Sequence, residues 1–470
     1  MAKTGGLGDV AGALPKALKK LNIDARVFMP FYGLVDKSKY KVKKVASAAV
    51  FIREKSEAFG IWQTELPNSS VKVYLIKHRL FNGKEIYVSG RIMKGKKYTR
   101  AKNDVERFSF FTQSALEACK ALDFQPDVVH AQDWHTALAA DMIKTRNLSD
   151  NFFIKTKVLY TIHNLANQGI SDPQIIRYAK ISPDFPVIKA DAENGDINFM
   201  VQGILMSDLV NTVSPRYAVE ILYHYQGAGL DNILRKRKKD LYGILNGIDT
   251  DFFNPKNDKY IKYQYGREDV FKKKNNKVAL QKELGLTQDE NINLVGFVSR
   301  LVWQKGSELI TEDMIENLNC QFVFLGTGQK EYEDYLKRLA KKYPKKISAN
   351  IFFDAALAQK IYAASDIFLV PSRFEPCGLT QMIAMRYGSV PVVRATGGLD
   401  DTVDGSVGFK FKKYSSAVLE KILAKALDVY YYDQEHWLKL QKNGMKKDFS
   451  WDKSARDYLR LYQKLVARKY

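Results

Sequence analysis

The amino-acid sequence predicts an α/β protein built as two parallel-sheet halves. Three observations carry this. Apolar runs of strand length alternate with helical stretches, the pattern of βαβ units. The alternation stops at Asn246-Gly247-Ile248-Asp249, a turn signal and a plausible hinge, and restarts near residue 292. Each half carries a glycine-rich or basic loop just ahead of a helix. With 470 residues, 46% of them hydrophobic, the chain is too long for one ordinary core and rich enough for two or three.

The first half opens on Lys3-Thr4-Gly5-Gly6-Leu7-Gly8-Asp9-Val10, a glycine-rich turn, followed by an amphipathic helix over 11–21. Glycines let the backbone approach a phosphate or sugar, and a helix N-terminus supplies free N–H groups and positive partial charge. Strands follow at 23–29 and 71–76, a helix at 104–122, a strand at 127–131 and a helix at 135–146. A strand at 157–162, a helix at 196–206 and a strand at 208–213 complete the half. Residues 36–65 read as extra antiparallel strands, and the Lys- and Asn-rich stretch 254–277 as a surface excursion. The second half has strands at 292–297, 321–326, 366–370 and 390–394, with helices at 307–318, 329–342 and 378–388.

The formal net charge is +22, from 74 Lys+Arg against 52 Asp+Glu. A polyanion partner is one reading, with 235–239 and 94–102 as patches. The even spread of lysine, without a nucleic-acid-binding motif, favours solvated faces instead, so no nucleic-acid partner is expected. Three cysteines without CxxC spacing imply neither a disulfide framework nor a zinc site. No apolar run reaches bilayer length and no signal-peptide pattern is seen, so the expectation is a cytoplasmic protein without a membrane partner.

Two segments carry chemistry in the second half. Val298-Ser299-Arg300-Leu301 ends a strand and Gln304-Lys305-Gly306 opens a helix, which brings two cations to one sheet edge. Arginine grips phosphate with paired N–H bonds and lysine adds a movable charge; two surface cations are the alternative. Pro371-Ser372-Arg373-Phe374-Glu375-Pro376-Cys377-Gly378-Leu379-Thr380-Gln381 joins a buried strand to a helix. The N–H groups of Gly378, Leu379 and Thr380 would face an anion there, and Glu375 would either accept from sugar hydroxyls or cap the helix. His130-x-x-Asp133-x-His135 has metal-like spacing, but its side chains scatter over a turn, so no metal is expected. Asp249-Thr250-Asp251 reads as hinge and capping. Most of the 26 Tyr and 26 Phe read as core, with some able to offer stacking faces to sugars.

These strings, together with His130-Ala131-Gln132-Asp133-Trp134-His135, Thr161-Ile162-His163-Asn164-Leu165, Thr212-Val213-Ser214-Pro215 and Phe449-Ser450-Trp451, resemble the motifs of bacterial glycogen synthases and plant starch synthases. The resemblance is collinear from Ala2 to the end. It implies the GT-B fold: two Rossmann-like domains facing a cleft, expected at 1–248 and 249–452, with a last helix at 453–470 crossing back to the first. It implies retaining transfer of glucose from ADP-glucose to the 4-hydroxyl at the non-reducing end of an α-1,4-glucan. The donor is a substrate and no cofactor is implied. Arg300 and Lys305 would neutralise the diphosphate, and Gly378, Leu379 and Thr380 would hold its distal phosphate, beside Cys377. Thr4, Gly5 and Gly6 would approach it from the facing domain, with Lys3 near phosphate and acceptor. Asp133, His163, Asn246 and Glu375 would hold the glucose, beside Asn164. Phe353 would stack on adenine, or else be a core residue at a strand end. Ile383 stands where UDP-glucose relatives carry a second glutamate, which agrees with the ADP-glucose branch. Relatives also carry about a dozen residues, including a central strand, ahead of the glycine turn, so an upstream start is expected. A UDP-glucose or other GT-B transferase and a non-catalytic glucan-binding paralogue are the rival readings.

Overall fold

A computed structural model describes residues 5–88, 101–146 and 151–468. The chain divides into two compact units. Unit 1 takes 1–213, 218–244 and 454–470, and unit 2 takes 214–217 and 245–453. The change of unit thus falls at 244/245 rather than 248/249, and the short segment 214–217 belongs to unit 2. Its reason is local: the Arg216 N–H (3.0 Å) and Ser214 Oγ (2.5 Å) both donate to Asp401 Oδ2.

In unit 1 the strands are β1 Val27–Pro30, β2 Lys43–Ile52, β3 Lys55–Glu65, β4 Lys72–Lys77, β5 Val128–Gln132, β6 Lys157–Ile162, β7 Ile170–Ser171, β8 Ile197–Asn198, β9 Leu209–Thr212 and β10 Leu241–Gly243. They form a sheet of order β1-β4-β3-β2, a sheet of order β10-β9-β6-β5 and a small β7-β8 pair. The second of these is wholly parallel, and in the first only β1 and β4 are. β2 and β3 are the antiparallel strands foreseen in 36–65. Arg53 and Glu54 turn between them with φ of +47° and +66°, a hairpin geometry usually given to Asn-Gly. β6 is buried at every position, whereas most of β1 and β5 is only half-buried.

The C-terminal helix Trp451–Val466 starts in unit 2 and runs on in unit 1. There Tyr462 OH lies 2.8 Å from His130 Nδ1, Asn211 donates to Tyr458 OH (3.2 Å) and Arg468 pairs with Asp240 (2.7 Å). Arg237, in the basic run 235–239, donates to the carbonyls of Ile204, Leu205, Ser207 and Asp208 at 2.8–3.2 Å. It closes the end of helix Phe199–Met206 and is not a free surface cation.

Unit 2 has β11 Asn293–Val298, β12 Cys320–Leu325, β13 Ile347–Asn350, β14 Ile367–Val370, β15 Val390–Arg394 and β16 Phe409–Phe411. They form one parallel sheet of order β13-β12-β11-β14-β15-β16. This is the doubly wound Rossmann order, in which winding reverses between the first and fourth strands. Here that place is between β11 and β14. Phe297, Phe322, Phe324, Ile367, Leu369 and Val392 fill the core around it.

Two expectations need correction. The Lys- and Asn-rich 254–277 is not simply a surface excursion, because it runs into helix Lys273–Glu283, which buries Lys273 and Lys277. Lys273 Nζ donates to the carbonyls of Tyr362 and Ala363 (2.8 Å each), the open end of helix Ala355–Ala364. Lys277 pairs with Asp366 at 2.8 Å. Lysine content alone does not report exposure when a helix C-terminus needs donors. The helix expected at 307–318 is instead a short 3₁₀ turn, Ser307–Leu309, and a helix Glu312–Asn317 capped by Thr311.

Candidate active site

Ligands of doubly wound sheets bind beyond the carboxyl ends of the strands at the reversal of winding. In unit 2 the loops leaving β11 and β14 meet there. Lys305 Nζ lies 2.6 Å from Glu375 Oε2, and Ser372 Oγ donates to the same oxygen at 3.0 Å. Main-chain bonds lock the two loops together: Arg373 N–H to Gln304 O (2.8 Å), and Gln304 Nε2 to Phe374 O (3.0 Å). Glu375 is buried and Lys305 nearly so, while Arg300 is exposed and makes no ion pair among the described residues. Lys305 thus stands beside a carboxylate, while Arg300 is a cation with no carboxylate partner among the described residues.

Helix Thr380–Arg386 begins beside this pair. Its N-cap residue Leu379 offers no side-chain acceptor, and Gly378, Leu379 and Thr380 are half-buried. Glu375 therefore does not cap this helix; its carboxylate is turned to Lys305 and Ser372. The main chain of 375–377 is pressed from behind by Gly397 and Gly398. A Cβ on Gly397 would stand 2.0 Å from Glu375 O, and one on Gly398 2.0 Å from Cys377 O. Only glycine allows this approach. Arg394 Nε donates to Ser372 O (2.8 Å) from the next strand end. Sequence reasoning missed Ser372, Arg394 and the glycine pair as supports; Gly397-Gly398 after a strand was the visible signal.

Cys377 and Asn246 also meet in unit 2. The Asn246 N–H points to the Cys377 thiol, and burial pushes that thiol up to about 12. Both residues are buried, and Asn246 Oδ1 has no hydrogen-bond partner among the described residues. A buried unpaired carbonyl oxygen needs a donor, which water or a ligand can supply. Asp249 Oδ1 accepts from the N–H groups of Asp251 (3.2 Å) and Phe252 (2.9 Å), so it caps the turn. Phe353 follows β13 and is 91% exposed. It is not a core residue, which overturns one of its two readings.

In unit 1 the ends of β5 and β6 bring Asp133 and His163 together. Asp133 Oδ1 accepts from the His163 N–H at 2.7 Å, and His163 Nε2 lies 2.7 Å from Gln132 Oε1. Asp133 holds φ +53°, a left-handed conformation uncommon outside glycine, which Asp tolerates better than most residues. Such strain persists where surroundings fix it, typically at functional sites. Burial lowers the His163 pKa, so its ring is neutral near pH 7. Asn164 Oδ1 is engaged locally, accepting from the Ala166 N–H at 2.9 Å. His130 and His135 do not converge with Asp133: His130 meets Tyr462 and Thr161, and His135 Nε2 lies 2.8 Å from Tyr87 OH. Gly5 begins helix Gly5–Lys20 with φ +63°, and a Cβ at Gly5 or Gly6 would meet no neighbouring atom. Lys3 and Thr4 lie outside the described residues. No helix among the described residues is long and apolar enough to cross a membrane.

Comparison with known proteins agrees with this geometry. A model of the starch synthase catalytic domain matches residues 1–236, and one of glycosyl transferases group 1 matches 281–447. Glycogen synthase of Thermotoga maritima is 44% identical over 483 residues, covering 99% of this chain and 97% of its own. That of Thermosipho melanesiensis is 43% identical, covering 100% and 97%. Among solved structures, the catalytic domain of starch synthase IV from Arabidopsis thaliana, bound to ADP and acarbose, superposes with a TM-score of 0.86 at 33% identity, over 99% of this chain and 97% of that one. A sucrose-phosphate synthase from Thermosynechococcus elongatus shares the fold, with a TM-score of 0.60 at 16% identity.

Proposed function

This chain belongs to the starch and glycogen synthase family of glycosyltransferases, and on that premise we propose that it transfers glucose from ADP-glucose to the 4-hydroxyl at the non-reducing end of an α-1,4-glucan, with retention. The observation that carries the proposal is the grouping of Arg300, Lys305, Glu375 and an uncapped helix start at one sheet reversal. The donor assignment draws support from the ADP held by the starch synthase IV neighbour.

In this reading Arg300 and Lys305 neutralise the diphosphate as the glucose C1–O bond breaks. The N–H groups of Gly378, Leu379 and Thr380 receive its distal phosphate. Glu375 accepts from glucose hydroxyls, and the unpaired Asn246 Oδ1 takes another hydroxyl proton in hydrogen bond. Asp133 and neutral His163 hold the sugar from unit 1, with Asn164 beside them. Phe353, already exposed, stacks on adenine, and Cys377 lines the pocket as a neutral thiol. Lys3, Thr4, Gly5 and Gly6 serve the phosphate and acceptor end. ADP departs with the bonding electron pair. The acceptor O4 forms the new bond to C1 on the same face and passes its proton to the leaving phosphate oxygen. The reading carries with it a cytoplasmic reaction in which the donor is a substrate and no cofactor takes part.

The test supplies ADP-glucose and UDP-glucose separately, with glycogen, and follows nucleotide release and glucan gain. ADP-glucose should be the better donor. Release without glucan gain, or no release from either, would overturn the proposal; preference for UDP-glucose would overturn its donor half.

A further inference from the structure

Unit 1 also displays two tyrosines that no core claims. Tyr223 and Tyr225 are 54% and 69% exposed, with ring centroids 5.9 Å apart and planes within 24°. Val219 beside them is exposed too, and His224 between them stands almost wholly in solvent. The turn beneath is firmly built. The Gly227 N–H donates to Tyr223 O (2.8 Å) and the Leu230 N–H to Gly227 O (2.7 Å). Arg235 donates to Leu222 O (2.7 Å) and pairs with Asp231 (2.8 Å). Ala228, with φ +49°, accepts from Gln168 Nε2 at 2.9 Å. Gln168 lies on the same loop as His163 and Asn164.

We infer that the Tyr223–Tyr225 pair is a stacking platform for an α-1,4-glucan chain, outside the residues assigned to the reaction and joined to the loop of His163 and Asn164 through Gln168. The inference rests on the glucan-acceptor reading above for its choice of ligand. Water-exposed rings held on a rigid turn lose little entropy when covered. A pyranose ring presents a C–H face to an aromatic ring and hydroxyls at its rim, which the phenol groups, His224 and Gln226 can meet. The two rings offer roughly 300 Å², well short of the ~1,000 Å² that a second copy of the chain would need for a specific interface. A linear polymer binding by repetition of weak contacts does not need that area.

The experiment is native electrophoresis of the full chain in gels with and without glycogen, for wild type, Tyr223→Ala/Tyr225→Ala and Tyr223→Phe/Tyr225→Phe. The alanine pair should raise the apparent dissociation constant for glycogen roughly fivefold to tenfold. The phenylalanine pair should stay near wild type, and turnover of a short maltooligosaccharide should not change in either. Equal retardation of wild type and the alanine pair overturns the platform. So does a wild type that glycogen does not retard, or a wild-type dimer in sedimentation that the alanine pair loses. Retardation that needs the tyrosines, with no ADP release from ADP-glucose, would instead sink the transferase reading and leave the platform standing.

Discussion

The two units handle the centre of a parallel sheet differently. In unit 2, β11 and β14 sit side by side at the middle of six strands and are almost wholly buried. In unit 1 the described strands fall into two sheets, and β1 and β5, the end strands of these, are mostly half-buried. The lesson concerns where rigidity lies. The donor-side loops spring from a closed, doubly paired centre, whereas Asp133 follows a strand that, among the described residues, pairs on one side.

Amide hydrogen exchange gives the largest contrast. Amides of 294–297 and 368–370 should open only with global unfolding, and those of 27–29 and 128–131 by local opening, at least ~10³-fold faster. Equal protection would remove the comparison.

Next in size is the dependence of turnover on each unit. Glu375→Gln keeps the shape and one acceptor oxygen of the side chain but removes the charge that pairs with Lys305, and Lys305→Ala removes a cation at the departing charge. Either should lower kcat by ~10²–10³, with the thermal transition of unit 2 intact. In unit 1, Asp133→Gly separates backbone from carboxylate. Glycine accepts φ +53° without strain, so unit 1 should stay folded, losing about 1 kcal/mol for the His163 N–H left without its acceptor, while activity drops. A glycine variant as active as wild type would show that Asp133 is held left-handed for structural reasons alone.

A third test probes stability within unit 1. Asp141 is buried, neither carboxylate oxygen meets a donor from another residue among the described residues, and burial pushes its pKa from 3.8 up to about 8. The unfolded chain releases this proton near pH 4 and the folded one does not. Stability is therefore full below that pH and declines as pH rises towards about 8. Asp141→Asn should flatten this limb and stabilise unit 1 by about 2–4 kcal/mol at pH 8, read by chemical denaturation at pH 5 and 8. An unchanged slope would show that solvent or a neighbour already satisfies the carboxylate.

Much of this was legible in the sequence because periodicity and loop chemistry coincide. The strands at 157–162 and 390–394 appear at the positions read from apolar runs, and the β14–helix string 371–381 sits where a sheet reversal needs a ligand loop. Other features depend on partners far away in the chain. Lys273 and Lys277 look like surface lysines until helix Ala355–Ala364 and Asp366 come beside them. The hairpin at Arg53-Glu54 has no glycine to announce it. Helix Ala355–Ala364 and strand β13 were missed because Ile347–Asn350 is short and half-buried, with little apolar signal. The left-handed Asp133 could not be read at all, since nothing in its residue type requires that conformation.

The smallest effect is expected at Cys377, and it sharpens what the donor side requires. A thiol with its pKa pushed to about 12 is protonated throughout the working range, so it is no nucleophile and carries no charge to the diphosphate. Its visible task is to receive the Asn246 N–H, which fixes the turn carrying the unpaired Asn246 Oδ1. Serine keeps an acceptor there and alanine does not. Cys377→Ser should hold kcat within about threefold of wild type, and Cys377→Ala should cost about 1 kcal/mol of unit 2 stability from the unsatisfied amide. Iodoacetamide at pH 7.5 should leave the folded chain active. Rapid alkylation at Cys377 with loss of turnover would mean that the pocket opens far more readily than the closed centre of β11 and β14 allows.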